Sequence, residues 1–191
     1  MKSLIRDVLV TVVIAVVIFF GLRAIVQTFE VDLTSMEPNF HAGDRVLVNK
    51  LIYHLHPPQR GDVIVFVSPH AGQGDLIKRV MGLPGESVDI KDGRVYIHKA
   101  DGQVITIDEP YIAAPARADF TGTVIPANQY FVLGDNRNVA DDSRYGWLVP
   151  QENIIGKAWL LTWPPHAWGL AANYHFAQAS AWHLAVERIM P

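Results

Sequence analysis

The feature that most constrains the fold is an uncharged apolar run near the N-terminus, VLVTVVIAVVIFFGL, from Val8 to Leu22. Extended by four residues it covers about 19 positions, roughly 28 Å as an α-helix, which is close to the hydrocarbon thickness of a bilayer. Lys2 and Arg6 precede the run, and positive charge beside such a segment marks its cytoplasmic end. We therefore expect a single transmembrane helix over 8–26, a cytoplasmic N-terminus, and the remainder of the chain on the extracytoplasmic face of the plasma membrane or its equivalent.

A cleaved signal peptide is the alternative for this run. Its apolar segment would be shorter and would be followed by a small-x-small cleavage motif. Here QTFEVD follows instead, which favours a retained anchor.

Beyond Phe29 the apolar residues alternate with polar ones, which is the period of β-strands. The segments DRVLVNKL, DVIVFVSP, GRVYIHKADGQVITI and QYFVLGD show this alternation, and the Asp-Gly in KDGR is typical of a hairpin turn. No internal repeat or long helical period interrupts it before about residue 165. The pattern predicts a mostly antiparallel β-domain tethered by one helix.

The end of the chain differs again, because it is rich in Trp, Tyr, His and Ala and nearly uncharged. Trp and Tyr favour the membrane interface, so its second half is a candidate interfacial helix. The predicted organisation is a cytoplasmic tail (1–7), a transmembrane helix (8–26), a β-domain (30–162) with a small inserted cap (about 99–128), and a C-terminal tail (163–191).

Composition excludes several kinds of chemistry. The net charge is −3, which offers nothing to nucleic acid, and the absence of cysteine removes disulfides and thiol nucleophiles. The chain has no phosphate loop, dinucleotide fingerprint, His-Glu-x-x-His or Gly-x-Ser-x-Gly motif. Its eight histidines are scattered, and no carboxylate or cysteine completes a metal site at a useful spacing. We expect no cofactor, no metal and no nucleic-acid partner.

The segment TSMEPNF, Thr34 to Phe40, places a serine just past the apolar run, with no histidine as an obvious base. A lysine can serve as the base if desolvation lowers its pKa towards about 7 to 8. In DLIKRVMGLPG, Lys78 and Arg79 lie on opposite faces of an apolar strand, so one of them should lie beside the domain interior unless both faces are exposed. Because arginine keeps its proton, Lys78 is the candidate base for Ser35.

Both residues have ordinary explanations as well. TSME fits a helix capping box, with Thr34 as the cap and Glu37 three residues on, although Pro38 follows and no apolar helical run comes after it. Lys78 fits a charged guard on an exposed edge strand. Spacing alone leaves these interpretations open.

Five motifs in sequence, behind one N-terminal anchor, resemble those of type I signal peptidases, the membrane-anchored serine proteases that remove signal peptides from exported proteins. The resemblance runs from the anchor to about residue 160. The motifs are SMEP (35–38), GDRVLVNK (43–50), RGDVIVF (60–66), IKRVMGLPGE (77–86) and GDNRNVADDSR (134–144).

The resemblance implies that Ser35 is the nucleophile of an acyl-enzyme mechanism, that Lys78 is its general base, and that the Ser35 backbone N–H helps to stabilise the oxyanion. It implies that Asp142 and Arg144 brace the site, which we expect them to do through a mutual ion pair. Met36 is expected to rest against lipid or to line the substrate pockets. The other supporting positions are Arg79, Gly134, Asp135, Asn136 and Arg137.

The same resemblance implies a fold and a substrate. The fold is a coiled, mostly antiparallel β-structure of the signal-peptidase type, whose apolar surface rests on the bilayer. The substrates are preprotein signal peptides with small residues at the first and third positions before the cut.

Three positions depart from the pattern. Leu33 replaces the hydroxyl that many members of the family use as a second oxyanion donor, and Ala140 stands where a serine usually orients the lysine. Thr34, Ser143 or a water are possible substitutes. Asp141 would oppose the base if its carboxylate reached Lys78, because it favours the charged amine.

These departures leave two alternatives to a general signal peptidase. One is a peptidase dedicated to a single substrate, such as a pilin or a conjugation protein. The other is a catalytically weak peptide-binding relative. A self-cleaving DNA-binding repressor shares the Ser-Lys chemistry, but the apolar run and the lack of a basic DNA-reading module oppose it.

Overall fold

The computed structural model describes residues 2–174 and Phe176, and at positions 2–5, 22 and 24 it describes the backbone alone. A long helix, α1 (Lys2–Ile25), leads into the first strand, and the Lys50 N–H donates to the Ile25 carbonyl at 2.9 Å. Large apolar side chains between positions 8 and 20 project from this helix and are 47–65% exposed. Counted over the described residues, no helix combines the length and the apolarity that a bilayer crossing requires.

The predicted mostly antiparallel β-fold is confirmed. Every strand pairing in the described part of the chain is antiparallel. The strands are β1 (Val26–Glu30), β2 (Arg45–Asn49), β3 (Val63–Phe66), β4 (Leu76–Gly82), β5 (Ser87–Lys91), β6 (Arg94–His98), β7 (Val104–Ile107), β8 (Phe120–Thr121), β9 (Gln129–Leu133), β10 (Val149–Pro150), β11 (Ile154–Trp163) and β12 (Gly169–Leu170). The short helices are α2 (Ile52–Leu55) and four 3-10 turns, Thr34–Met36, Ser143–Tyr145, Gln151–Asn153 and Pro165–Ala167.

The strands form two sheets. The larger has the order β1-β2-β11-β3-β4-β9-β10, with β12 added on β11, and the smaller has the order β7-β6-β5-β8. The pairings of β11 with β2 and with β3 both contain register shifts, which mark β-bulges. A bulge bends a strand and increases its twist. The large sheet therefore curls instead of lying flat.

Strand β4 lies inside the large sheet, between β3 and β9, and each of its seven residues is buried. Ile77 packs in an apolar cluster with residues of β2 and β3, and Val80 packs in a second cluster with residues of β3 and β9. Both faces of the strand are thus covered. We expected one of the two adjacent cations to lie beside the interior, whereas the structure buries both Lys78 and Arg79.

The smaller sheet packs onto the large one through a third apolar cluster, which includes Met81 of β4, Val88 of β5 and Phe131 of β9. This sheet begins at Ser87. The region 99–128, predicted as the inserted cap, therefore contains β7 and β8. Their pairing partners, β6 and β5, lie before it in the chain.

The C-terminal region folds back onto the large sheet. After β11 and a 3-10 turn, β12 pairs with Leu160 and Leu161 of β11, and the chain then reaches the start of β3. There the Asn173 side chain accepts from the Val63 N–H at 2.8 Å and donates to the Ala158 carbonyl at 2.8 Å. The second half of the tail, predicted as an interfacial helix, lies outside the described residues.

Candidate active site

Ser35 lies in the 3-10 turn that follows β1, and it is 6% exposed. Two contacts from the 134–137 loop hold this turn. The Asn136 N–H donates to the Ser35 carbonyl at 3.0 Å, and the Asn136 side-chain amide donates to the Thr34 carbonyl at 3.2 Å. The turn is therefore fixed by a segment about one hundred residues away in sequence.

Lys78 projects from β4 towards this turn and is 1% exposed. Its Nζ donates to Ser35 Oγ at 2.7 Å. Burial lowers the pKa of Lys78 from 10.5 to about 8, although the carboxylates of Asp142, Asp141 and Asp135 act in the opposite direction. The structure thus joins a hydroxyl to an amine whose neutral form is accessible near neutral pH.

Arg79 lies on the opposite face of β4 and forms a buried ion pair with Asp135. Its Nε and Nη2 donate to the two carboxylate oxygens at 2.8 and 2.6 Å, and both side chains are fully buried. The remaining nitrogen donates to the Gly61 and Ala172 carbonyls. The guanidinium also stacks over the Tyr111 ring at 4.2 Å. This network anchors the strand that carries Lys78.

Asp142 and Arg144 form the expected pair, with Nε and Nη2 of Arg144 at 2.7 and 2.8 Å from the two carboxylate oxygens. Asp142 is fully buried and also accepts from the Gly134 N–H at 3.1 Å. Arg144 donates to the Arg137 carbonyl at 2.7 Å. The pair therefore holds the loop that holds the Ser35 turn.

Gly134 and Arg137 hold the same loop by different means. A Cβ on Gly134 would lie 2.6 Å from the Ser35 carbonyl oxygen and 2.3 Å from Ala140 Cβ, so the close approach of the two segments requires glycine. The Arg137 side chain is buried and pairs with Glu109, with its Nη1 at 2.8 Å from Glu109 Oε2.

Met36 does not occupy either of its expected places. The side chain is fully buried in the apolar cluster of β1, β2 and β3, beside Val31 and Phe40. It has no exposed surface and does not line either cavity beside Ser35, and it packs the turn that carries Ser35 against this cluster.

Sequence reasoning missed three residues that complete these networks, Glu109, Tyr111 and Tyr174. Glu109 pairs with Arg137 and also accepts from the Tyr111 hydroxyl at 2.7 Å. The Tyr174 ring lies 4.7 Å from the Tyr111 ring and 5.2 Å from the Arg79 guanidinium. No local sequence pattern marks these three residues. The only signal that could have found them is that Arg79 and Arg137 need partners when they are buried.

None of the side chains at or near the positions that depart from the family pattern supplies Lys78 with a second partner in the described part of the chain. Leu33 precedes the Ser35 turn without a side-chain cap and is exposed. Ala140 is buried and contributes no hydroxyl. Ser143 Oγ accepts from the Val132 N–H at 2.9 Å and makes no hydrogen bond to Lys78 Nζ. Among the described residues, the hydroxyl of Ser35 is the only hydrogen-bond partner of Lys78 Nζ.

Two cavities meet at the Ser35–Lys78 contact. The larger chamber, about 320 Å³, extends past Phe29, Leu33 and Ile77. The smaller chamber, about 170 Å³, extends past Thr34, Val139 and Asp141. Both chambers are lined by Ser35 and Lys78, so a peptide whose carbonyl carbon reached Ser35 Oγ would lie against both of them. The contact is therefore accessible to a substrate for acyl transfer.

Comparison with known proteins places the chain in a family. Residues 4–163 match the family described as "Signal peptidase, peptidase S26". A probable signal peptidase I-2 from Synechocystis sp. is 38% identical over 85% of this chain and 75% of its own length. Signal peptidase I from Leptolyngbya laminosa is 39% identical over 83% of this chain and 80% of its own. Signal peptidase IB from Staphylococcus aureus (strain COL) is 34% identical over 86% of this chain and 92% of its own length.

Fold and site thus define a serine endopeptidase with a mostly β catalytic domain. The chain belongs to the signal peptidase family, peptidase S26, whose reaction is the removal of signal peptides.

Proposed function

We propose that this chain removes signal peptides from exported preproteins, with Ser35 as the nucleophile and Lys78 as the general base. The observation that carries these roles is the 2.7 Å contact between Lys78 Nζ and Ser35 Oγ, two side chains that are both buried. A serine hydroxyl needs such a base, and a lysine supplies one only where burial lowers its pKa.

The reaction follows from this contact. The neutral Lys78 amine takes the Ser35 proton as Oγ attacks the substrate carbonyl. The Ser35 backbone N–H lies in the first turn of a 3-10 helix, where it has no internal partner, and we assign it to the developing oxyanion. The Lys78 ammonium then protonates the leaving amine, which gives an acyl-enzyme. Lys78 next takes a proton from water as the water oxygen attacks the acyl carbon. The Lys78 ammonium returns that proton to Ser35 Oγ as the ester bond breaks, which releases the acid and regenerates Ser35.

The larger chamber is the proposed binding site for the residues before the cut. Phe29, Leu33 and Ile77 give it apolar walls beside the carboxylates of Asp32 and Asp75. We assign to it the small side chains at the first and third positions before the cut. The residues whose contacts position the Ser35 turn and β4 are proposed to support the Ser35–Lys78 dyad. They are Arg79, Gly134, Asp135, Asn136, Arg137, Asp142 and Arg144.

We place the enzyme at a membrane, with α1 as a single-pass anchor, the N-terminus in the cytoplasm and the β-domain on the extracytoplasmic face. The uncharged run Val8–Leu22 and the exposed apolar side chains of α1 support this topology. Protease accessibility in sealed membrane vesicles tests it. The β-domain should be cut only from the extracytoplasmic side.

A cleavage assay with the full-length chain in detergent micelles and a preprotein tests the chemistry. Ser35→Ala and Lys78→Ala should each abolish cutting, whereas Lys91→Ala, at an exposed position at the end of β5, should retain it. Thermal unfolding of each variant shows whether it is folded. Undiminished cutting by Ser35→Ala or Lys78→Ala would refute the mechanism.

One observation favours a weaker catalyst as the second candidate. Lys78 Nζ is hydrogen-bonded only to the nucleophile among the described residues, because Ala140 lacks a hydroxyl. A peptide-binding relative with little turnover would bind preproteins normally but would resist acylation of Ser35 by a peptide aldehyde or a β-lactam-type probe. A peptidase dedicated to one substrate would instead be acylated and would cut that substrate alone.

A further inference from the structure

The smaller chamber holds one carboxylate, and the proposed reaction does not use it. Asp141 lines this chamber together with Thr34, Gln73 and Val139, but it does not line the larger one. The chamber's other ionisable group is Lys78, which is neutral when it acts as a base. In the reactive state the lining of the smaller chamber therefore carries a net negative charge.

The proposed membrane anchor α1 indicates which side of the cut enters this chamber. Phe29, which lines the larger chamber, belongs to β1, and β1 continues directly from α1. A signal peptide is apolar and approaches from the membrane, so the residues before the cut enter on the side of α1. The residues after the cut, which are the first residues of the mature protein, then occupy the smaller chamber.

Two side chains hold the Asp141 carboxylate in place. Trp147 Nε1 donates to Oδ1 at 3.2 Å, and His70 Nε2 lies 3.2 Å from Oδ2 without hydrogen-bond alignment. The two rings also meet edge to face, with centroids 6.1 Å apart. The Asp141 side chain is 54% exposed, so it keeps oxygen lone pairs free for a ligand.

We propose that Asp141 forms a cation-binding subsite for the first two residues after the cut, so that the enzyme prefers a lysine or arginine there over a glutamate. This inference rests on the proposed function, because the chamber has a leaving-group side only if Ser35 is the nucleophile. A carboxylate fixed at the rim of a cleft attracts a cation and repels an anion, and it discriminates between them more than it adds to affinity.

The test uses peptides that are identical up to the cut and carry Lys, Gln or Glu at the first or second position after it. We expect kcat/KM for the Lys peptide to exceed that for the Glu peptide by roughly three- to tenfold at low salt. Asp141→Asn should bring this ratio close to one. Asp75→Asn removes a carboxylate that lines only the larger chamber, so it should keep the ratio. Because the ratio is taken within each variant at one pH, a change in the reactivity of Lys78 cancels.

Salt and binding give two further measurements. The Lys/Glu ratio should fall as ionic strength rises, since the subsite is partly open to solvent. At pH 9, above the pKa of Lys78 of about 8, the folded Ser35→Ala chain should bind the Lys peptide more tightly than the Glu peptide, and this difference should vanish in the Ser35→Ala, Asp141→Asn double variant.

Equal cutting of the three peptides by the unmodified enzyme overturns this inference and leaves the proposed function intact. Survival of the preference in Asp141→Asn also overturns it. Cutting that persists in Ser35→Ala removes the proposed function and this inference with it.

Discussion

Lys78 Nζ lies 2.7 Å from Ser35 Oγ, on a strand that is buried on both faces. With the pKa of Lys78 lowered to about 8 by burial, roughly one amine in ten is neutral at pH 7, against about one in three thousand at the ordinary value of 10.5. The neutral form is the base, so kcat/KM should rise with pH, with a midpoint near 8, and level off above it. A profile measured from pH 6 to 10 checks this, and a midpoint near 10.5 would contradict it.

The carboxylates around the amine shift that profile. Asp142, Asp141 and Asp135 each favour the charged form of Lys78 and so raise its pKa against the effect of burial. Asp142 and Asp135 are engaged in buried pairs, but Asp141 can be neutralised with less structural damage. Asp141→Asn should therefore lower the pKa of Lys78 further and move the rise in kcat/KM to lower pH. A shift to higher pH would contradict this account.

Ala140 offers a gain-of-function test. A serine at this position is expected to place a hydroxyl near the Lys78 amine, which has one protein partner among the described residues. One neutral hydrogen bond contributes about 1 kcal/mol, which corresponds to roughly fivefold in rate if the bond orients the amine in the transition state. Ala140→Ser should raise kcat by this order with little change in KM.

Ala140→Gly is the matched control for that substitution. It alters volume at the same buried site without adding a hydroxyl, so it should not raise kcat. Equal gains in both variants would show that packing, not orientation of Lys78, limits the rate.

Local patterns predicted the features that depend on local physics. Alternating polarity predicted several of the strands, and the need for a desolvated lysine made Lys78 the candidate base, an assignment that the family resemblance then favoured over the capping-box and edge-strand interpretations. The family's motif order then supplied Asp142 and Arg144, which the structure joins directly. Each of these depends on a residue's own chemistry or on a short window of sequence.

Features that depend on which distant segments meet were not predictable. Burial of both Lys78 and Arg79 follows from the place of β4 inside the sheet, between β3 and β9. The partners of Arg79 include Tyr174 and the Ala172 carbonyl, nearly one hundred residues further along the chain. Met36 was assigned to lipid or to a pocket because its own turn gives no sign of the core beneath it.

Gly134 tests the coupling between the 134–137 loop and the nucleophile. Gly134→Ala places a Cβ within 2.6 Å of the Ser35 carbonyl oxygen, so the turn that carries Ser35 must move. A displacement of about 1 Å at a reacting group can cost on the order of a hundredfold in rate. We expect a large fall in kcat and only a small fall in the free energy of unfolding.

The control is Gly169→Ala on β12, where a Cβ would meet its nearest neighbour at 3.9 Å. This variant should retain both activity and stability. If Gly134→Ala kept the activity of the unmodified enzyme, the contact between the loop and the Ser35 turn would have no catalytic consequence.

Arg79→Lys tests the buried network behind β4. Lysine keeps the charge but cannot reproduce the bidentate bond to Asp135, the carbonyl contacts and the stacking on Tyr111 together. Breaking a buried pair costs about 3 kcal/mol or more, which corresponds to a fall in Tm of roughly 6 to 12 °C for a domain of this size. Arg45→Lys is the matched control, because its pair with Glu30 is more than half exposed and should contribute less than about 1 kcal/mol. Scanning calorimetry of both variants decides the matter, and equal Tm values would show that the buried network does not stabilise the strand that carries the base.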